Sequence, residues 1–260
     1  MGSVEEGQWV ECLVNTKPEH VNWLVDTGER ITTIDGKTVE VWEFCYQPDE
    51  RVLSNWARHF RNHYCLDSQI DELRDGTGCS RSEYLNEIKF PDANAYPGPI
   101  VRAGDFGEIL VADFLEYVQG FWVPRSRYID KARRNESTKG CDIIGFLITN
   151  EGEESPRDVL AIFEAKAQFT GRKAKAKLQE AVDDSGKDPL RKAESLNAIK
   201  HRFLDTNNPI YAKRVQRFQD IEDKPYLELS GGAALLENYL FDQDLIKDTI
   251  TQQHPNQNHL

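Results

Sequence analysis

The sequence predicts an α+β protein in which a small mixed sheet is flanked by helices. Two observations support this prediction. Between residues 102 and 185 the apolar pattern runs in the order helix, strand, strand, helix. The composition, 39% hydrophobic and 29% charged, is ordinary for a globular protein. A chain of 260 residues suits one elaborated domain, or a core domain with an accessory one.

The first 98 residues predict an N-terminal α+β extension. KTVEVWEFCY (37–46) alternates in polarity and favours a strand, whereas DERVLSNWARHFRNHYCL (49–66) is typical of a helix. The proline-rich stretch 91–100 is typical of a connector. We therefore expect an extension over residues 1–98, a core over 99–205 and a C-terminal completion of the core over 206–260. The extension is a candidate surface for a partner.

The core opens with RAGDFGEILVADFLEYVQG (102–120), which predicts a largely buried helix that Gly120 ends. At 100° per residue its polar side chains fall within about 140°, so they form one stripe. The stripe consists of Asp105, Glu108, Asp113, Glu116 and Gln119.

Two apolar runs, CDIIGFLIT (141–149) and VLAIFEAKAQF (159–169), flank a turn-rich segment and predict an antiparallel hairpin. A basic helix over 170–186 and a second helix over 189–204 are expected next. Residues 224–250 then predict a strand and a C-terminal helix.

The net charge of −12 argues against a protein that grips nucleic acid over its whole surface. The charge is unevenly distributed, however. Residues 1–120 carry 10 basic and 22 acidic residues, whereas residues 121–202 carry 17 and 13. The sequence shows no secretory signal, and no apolar run approaches the roughly 20 residues of a membrane span. With five scattered cysteines, this predicts a cytoplasmic protein with reduced thiols.

The apolar run 159–169 also carries two charged residues on one face. Glu164 and Lys166 are two positions apart, so they point the same way from a strand. If the hairpin forms, Asp142 can meet Glu164, and adjacent carboxylates repel unless they are protonated or bridged by a cation. Oxygen ligands suit Mg²⁺, and a lysine can orient a water molecule or neutralise a phosphate. The pattern predicts metal-dependent phosphodiester hydrolysis; the alternative is a simple ion pair on an edge strand.

Asp142, followed by Glu164, Ala165 and Lys166, resembles the motif of the PD-(D/E)xK nuclease superfamily, with Cys141 where the motif has proline. The resemblance implies a restriction-endonuclease-like core. It also implies that Asp142, Glu164 and the Ala165 carbonyl bind Mg²⁺ or Mn²⁺, and that Lys166 positions or activates water. Glu108 on the leading helix would complete the metal site; the alternative for Glu108 is a solvated helix face.

Residues 100–205 further resemble the HamA family, the nuclease subunits of the Hachiman antiphage defence system. That resemblance implies a DNA nuclease with a superfamily 2 helicase partner, HamB-like, that loads it on DNA. No Walker motif is present, so ATP chemistry would belong to that other chain. The alternative is a catalytically inactive, nuclease-like subunit for DNA binding or partner docking.

Basic residues on both sides of the predicted site are candidates for binding the DNA backbone; the alternative is a solvated surface. They are Arg125, Arg127, Arg133, Arg134 and Lys139 before it, and Arg172, Lys173, Lys175 and Lys177 after it.

Four further patterns have weaker support. Gln179 is a candidate polar helper on the following helix. His59 and His63, with Cys65 and Cys79, could hold zinc, but the spacing is irregular. For the aromatic residues Trp56, Phe121 and Trp122 core packing competes with base stacking, and for Cys141 a core thiol competes with a nucleophile.

Overall fold

The computed structural model describes residues 16–129, 131–137, 139–185, 189–219 and 226–251. A 3₁₀ turn, Glu19–Trp23, precedes β1 (Leu24–Thr32), β2 (Thr38–Phe44), α1 (Glu50–Asn62), α2 (Ile70–Arg74), α3 (Arg81–Tyr84), α4 (Gly98–Tyr117), β3 (Ile143–Leu147), β4 (Val159–Gln168), α5 (Lys177–Ser185), α6 (Pro189–Asp205), α7 (Pro209–Gln216), β5 (Leu227–Leu236) and α8 (Gln243–Lys247). The predicted α+β class is confirmed. None of the helices in these ranges combines the length and apolarity needed to cross a membrane.

A two-stranded antiparallel hairpin, β1–β2, begins the described chain. Ile31 of β1 packs against Leu178 of α5 and Ile246 of α8, so the hairpin rests on the far end of the chain. Helix α1 starts where Asp49 accepts hydrogen bonds from the backbone N–H groups of Arg51 and Val52, at 2.9 and 3.1 Å. The predicted helix over 49–66 is therefore present, although it ends at Asn62.

A three-stranded mixed sheet has the order β3–β4–β5. The predicted hairpin is confirmed: β3 and β4 pair antiparallel, with Ile143 opposite Phe163. Strand β5 pairs parallel to β4 from Val159–Leu227 to Gln168–Leu236. Because β4 is the central strand and is covered on both faces, its sequence is almost continuously apolar.

The two faces of β4 belong to two different cores, because alternate side chains point in opposite directions. Phe163 and Ala165 pack with the α4 residues Val111, Ala112 and Leu115. Leu160 and Ile162 pack with Leu196 of α6, Val215 of α7 and Phe218. Glu164 and Lys166 continue the second series, so their face is the one covered by the C-terminal helices.

Strand β5 approaches its neighbours closely at a pair of glycines. A Cβ at Gly231 would lie 2.5 Å from the Phe163 ring, and one at Gly232 would lie 3.0 Å from the backbone nitrogen of Val182 in α5. The first distance would force the Phe163 ring to move and the second would push α5 back by a few tenths of an ångström, so glycine lets β5 lie close to both β4 and α5.

Helix α4 covers most of the predicted range but starts earlier, at Gly98, and ends at Tyr117, shortly before Gly120 with φ +78°. Its polar stripe is not solvated, however. Asp105 and Asp113 are 3% and 0% exposed. The stripe faces α1, the first 3₁₀ turn and the segment after Gly120, which together supply its hydrogen-bond donors.

The expected basic helix over 170–186 begins only at Lys177. Residues 170–176 form a loop held by the buried side chain of Gln168. Its Oε1 accepts from the Lys175 N–H at 3.0 Å, and its Nε2 donates to the Lys173 carbonyl at 2.9 Å. Gly171, at φ +123°, allows the turn. The basic side chains therefore project from a fixed loop and not from one helix face.

Candidate active site

The end of the β3–β4 hairpin brings Asp142 and Glu164 together. Continuing the register by one position places Asp142 opposite Glu164. The Asp142 backbone N–H donates to Glu164 Oε1 at 3.3 Å, and the Ala165 backbone N–H donates to Asp142 Oδ2 at 3.2 Å. Each carboxylate thus takes a backbone donor from the opposite strand, which fixes both side chains at the last position of the ladder.

The electrostatics of this pair are unfavourable for two negative charges. Glu164 is 2% exposed. Burial, and then the neighbouring Asp142, raises the pKa of Glu164 to about 8. Ionising both Asp142 and Glu164 is therefore unfavourable. A cation bound between the two carboxylates would reduce their repulsion.

Lys166 lies on the same strand face, as predicted. Its Nζ is 2.6 Å from Asp184 Oδ2 on α5 and 4.0 Å from Glu164 Oε2. Burial favours the neutral amine, but the hydrogen bond to Asp184 and the charge of Asp142 outweigh it and raise the pKa of Lys166. Lys166 is therefore an ammonium group, which can donate hydrogen bonds but cannot act as a base.

Glu108 of α4 is connected to the same site by Arg127, which contacts both Glu108 and Asp142. The Arg127 guanidinium spans two carboxylates, with Nε 2.9 Å from Glu108 Oε2 and Nη2 2.8 Å from Asp142 Oδ1. The Tyr128 hydroxyl donates to Glu108. Burial, and then Asp142, raises the pKa of Glu108 to about 7 although Arg127 lowers it. At 13% exposure the Glu108 side chain is not on a solvated face, so that alternative is wrong.

A small cavity of about 40 Å³ lies between these groups. Glu108, Arg127 and Asp142 contribute to its lining, together with His63 and Arg125. This volume has room for a few water molecules or a partly hydrated ion. Glu108 and Asp142 thus border a small, partly open space.

Two participants at this site were not predicted. Asp184 holds Lys166, and Arg191 of α6 places Nη1 3.6 Å from Glu164 Oε1. No sequence spacing identifies them, because their contacts depend on how α5 and α6 pack against the sheet. An acidic residue late in the helix that follows the Glu-x-Lys strand is the one signal available for Asp184.

The predicted DNA-contact residues before the site separate into two groups. Arg125 has a side chain 5% exposed and bound to Asp113 and Glu116, so the prediction that it contacts DNA is wrong. Arg127 is likewise engaged with site carboxylates. Arg134 pairs with Asp92 at 2.6 Å, whereas Arg133 and Lys139 are exposed.

The basic residues after the site are more accessible. Arg172, Lys173 and Lys175 are exposed on the loop held by Gln168, and Lys177 pairs with Glu180 at the start of α5. This loop directly follows the strand that carries Glu164 and Lys166.

Gln179, the candidate polar helper, is bound to the C-terminal segment. Its side chain exchanges hydrogen bonds with the Ile250 backbone at 2.8 and 3.1 Å, so it fastens the C-terminal segment. The irregularly spaced His–Cys set is not assembled into a zinc site. Cys65 and Cys79 pack in an apolar cluster with Ile70 and Tyr84.

The remaining alternatives are resolved in favour of core packing. Burial raises the pKa of the Cys141 thiol, which makes it a poor nucleophile. Phe121 is 7% exposed in the main core. Trp122 stacks on Phe203, and Trp56 packs between His20 and Phe106.

The fold and the site define an α+β protein with a carboxylate–lysine cluster at the open end of a central hairpin. The chain belongs to the HamA family, whose model matches residues 19–260. This membership makes it a protein of Hachiman defence. The search of curated proteins and the search of solved structures each gave no match.

Proposed function

We propose that this chain is a metal-dependent DNA nuclease with a restriction-endonuclease-like core, the effector of a cytoplasmic antiphage defence complex. The supporting observation is the meeting of Asp142 and Glu164 across the hairpin, with Lys166 on the same strand face. A structural ion pair would need one acid and one base. This site holds two adjacent carboxylates, whose negative charges repel each other. That repulsion favours the binding of a cation between them.

The residues present fit a divalent metal. Asp142 and Glu164 offer carboxylate oxygens, and the Ala165 carbonyl is a further candidate ligand. Glu108 lines the small cavity that Asp142 also lines. Hard oxygen donors of this kind suit Mg²⁺ or Mn²⁺. When bound, the ion would stabilise negative charge on the phosphoryl group and lower the pKa of a water molecule.

The chain's own residues then have separate tasks. Lys166, as an ammonium held by Asp184 at 2.6 Å, donates to the attacking water or to a phosphate oxygen. Arg191 lies beside Glu164 and adds positive charge on the side of α6. Arg127 bridges Glu108 and Asp142 and limits their repulsion while no cation is bound.

We assign DNA backbone contacts to the exposed basic residues. Arg133 and Lys139 lie before the site in the chain, and Arg172, Lys173 and Lys175 lie on the loop after it. Lys and Arg neutralise phosphates without reading sequence. The net charge of −12 would make unaided DNA binding weak. A superfamily 2 helicase partner that loads the chain on DNA fits that expectation, and the acidic N-terminal extension is the candidate surface for it.

The test is a plasmid-cleavage assay. Purified chain is incubated with supercoiled plasmid and Mg²⁺ or Mn²⁺, beside a Glu164→Ala/Lys166→Ala double variant. Glu194→Gln, at an exposed position on α6, is the matched control. We expect metal-dependent nicking or degradation that the double variant loses and Glu194→Gln keeps.

A second arm adds the helicase and ATP. Cleavage that appears only in this arm, and is lost in the double variant, supports a nuclease restrained until it is loaded. Metal-independent DNA binding without cleavage in either arm would show an inactive docking subunit and would overturn the proposal.

A further inference from the structure

A second polar cluster lies farther along α4, on the stripe that carries Glu108. The Asp113 carboxylate is 0% exposed, and each of its oxygens faces an imidazole. His20 Nε2 lies 2.9 Å from Oδ2, and His59 Nε2 lies 2.9 Å from Oδ1. One potential ligand atom from each of His20, His59 and Asp113 lies within 4.8 Å of the other two. Among the described residues, this is the group of potential metal ligands that converges so closely.

These residues come from three separate elements. His20 belongs to the 3₁₀ turn before β1, His59 to α1 and Asp113 to α4. His63, one turn after His59, places its Nε2 3.4 Å from His59 Nε2, with the two rings at 88°. His63, which is 3% exposed, therefore places a fourth ligand-type nitrogen beside His59.

We propose that His20, His59 and Asp113, with His63 as a fourth ligand, form a closed structural zinc site that fastens the N-terminal extension to α4. Imidazole and carboxylate are ordinary zinc ligands, and structural zinc sites use four protein ligands with no open position. With Zn–N bonds of about 2.0–2.1 Å, tetrahedral geometry separates two ligating nitrogens by about 3.3 Å. The His59–His63 separation of 3.4 Å matches that value.

The charges around the cluster leave room for a cation. Arg125 Nη2 lies 2.8 Å from Asp113 Oδ1 and also contacts Glu116. With neutral imidazoles, two carboxylates against one guanidinium leave one net negative charge in a buried region. Arg125 can hold one oxygen of Asp113 while the other binds metal, as outer partners of ligating carboxylates commonly do.

The competing occupant is a proton. The 2.9 Å distances between Asp113 and the two imidazoles are those of hydrogen bonds from protonated Nε2 atoms, so zinc binding would move these groups apart by a few tenths of an ångström. Metal analysis separates the two states, because a proton-linked cluster retains no zinc. The zinc site shares no ligand with the proposed Mg²⁺ site, which is built from carboxylates around Asp142 and Glu164, although His63 lines the cavity next to Asp142.

The experiment measures zinc content in the full chain, prepared without a polyhistidine tag. One portion is dialysed against metal-free buffer as purified, and another is first supplied with Zn²⁺. Elemental analysis is expected to give about one zinc per chain. His59→Gln should reduce that content to background, whereas His59→Cys should retain it, because a thiolate also binds zinc. His201→Gln, an exposed histidine on α6, and Asp142→Ala should both keep the wild-type content.

Thermal unfolding supplies a second measurement. A strong zinc chelator should lower the Tm of the wild-type chain by about 5 °C or more, because bound metal stabilises only the folded state. The same chelator should leave the Tm of His59→Gln unchanged. Less than about one-tenth of a zinc per wild-type chain after supply with Zn²⁺, or equal content in His59→Gln, would overturn the proposal.

Discussion

Glu108 and Asp113 are two buried carboxylates on the same helix, and their electrostatics are opposite. Each faces an arginine from the segment after α4, Arg127 for Glu108 and Arg125 for Asp113. Burial favours the protonated acid at both positions. It raises the pKa of Glu108 to about 7, whereas Arg125 and the hydrogen bonds from His20 and His59 hold the pKa of Asp113 well below its usual range.

The difference lies in the number of donors and in the neighbouring charge. Asp113 has Arg125 and two histidines within 2.9 Å; Arg125 also binds Glu116, but both imidazoles face Asp113. Glu108 shares Arg127 with a second carboxylate, Asp142. A buried acid faced by an arginine and two imidazoles stays ionised and joins the elements around it, whereas one that lies beside a second carboxylate is partly protonated at neutral pH. Four predictions test this rule.

The largest expected effect is on stability at Asp113. Asp113→Ala leaves Arg125 and two imidazoles buried beside an empty position. We expect the free energy of unfolding to fall by about 3–5 kcal/mol, because breaking a buried ion pair leaves an uncompensated charge. Urea unfolding measures it, with the exposed Asp248→Ala as the control. A loss below about 1 kcal/mol would mean that the donors around Asp113 are redundant.

Glu108→Gln should show the opposite behaviour. The amide imitates the protonated acid, which a pKa of about 7 already populates at neutral pH. The free energy of unfolding should therefore change by less than about 1 kcal/mol. Under the proposed function, metal-dependent cleavage should fall by about 100-fold, since a ligand is lost. Undiminished cleavage at limiting Mg²⁺ would remove Glu108 from the metal site.

Asp158 extends the comparison to a third buried acid with its own donors. It accepts from the Thr149 N–H and hydroxyl, both at 2.9 Å, and pairs with Arg217. Although burial raises its pKa, these Thr149 bonds and the Arg217 charge outweigh it and lower the pKa below the usual value. Asp158→Asn should cost about 1–3 kcal/mol at pH 7.

The pH dependence of that cost has a defined sign. Because the folded-state pKa of Asp158 is depressed, its stabilisation is complete above the unfolded value of about 3.9 and disappears as pH falls through the folded value. The difference in unfolding free energy between wild type and Asp158→Asn should therefore be constant from about pH 5 to 8 and shrink in acid. A difference that grows in acid would contradict the assignment.

The smallest expected effect concerns the basic loop, whose charges have no buried partners to lose. Replacing Arg172, Lys173 and Lys175 with Gln should leave stability unchanged and weaken DNA binding. The slope of log K against log salt should decrease by roughly 1 for each phosphate contact removed. Lys247→Gln, an exposed change on α8, serves as the control. An unchanged slope would place the DNA elsewhere.

The sequence was sufficient for the parts of the site that local geometry determines. Side-chain alternation puts Glu164 and Lys166 on one face, and the hairpin register puts Asp142 opposite Glu164. Helical periodicity identified the polar stripe of α4 but could not show what covers it. Here α1 and the 3₁₀ turn cover it, and their packing is a tertiary property.

The failed predictions have the same physical origin. Arg125 was grouped with surface cations because composition does not distinguish a buried guanidinium from an exposed one. The start of α5 was misplaced because Gln168 binds the backbone of the following loop, which outweighs helix propensity. Asp184 and Arg191 depend on helices that reach the sheet from far along the chain.

The last position of the hairpin has one more consequence. The backbone N–H groups of Asp142 and Ala165 are each bound to a carboxylate side chain from the opposite strand, at 3.3 and 3.2 Å. Any ligand that draws those carboxylates away would release both amides at once. The hydrogen-exchange rates and NMR chemical shifts of these two amides should therefore report whether the site is occupied. The measurement needs no substrate, turnover or added label.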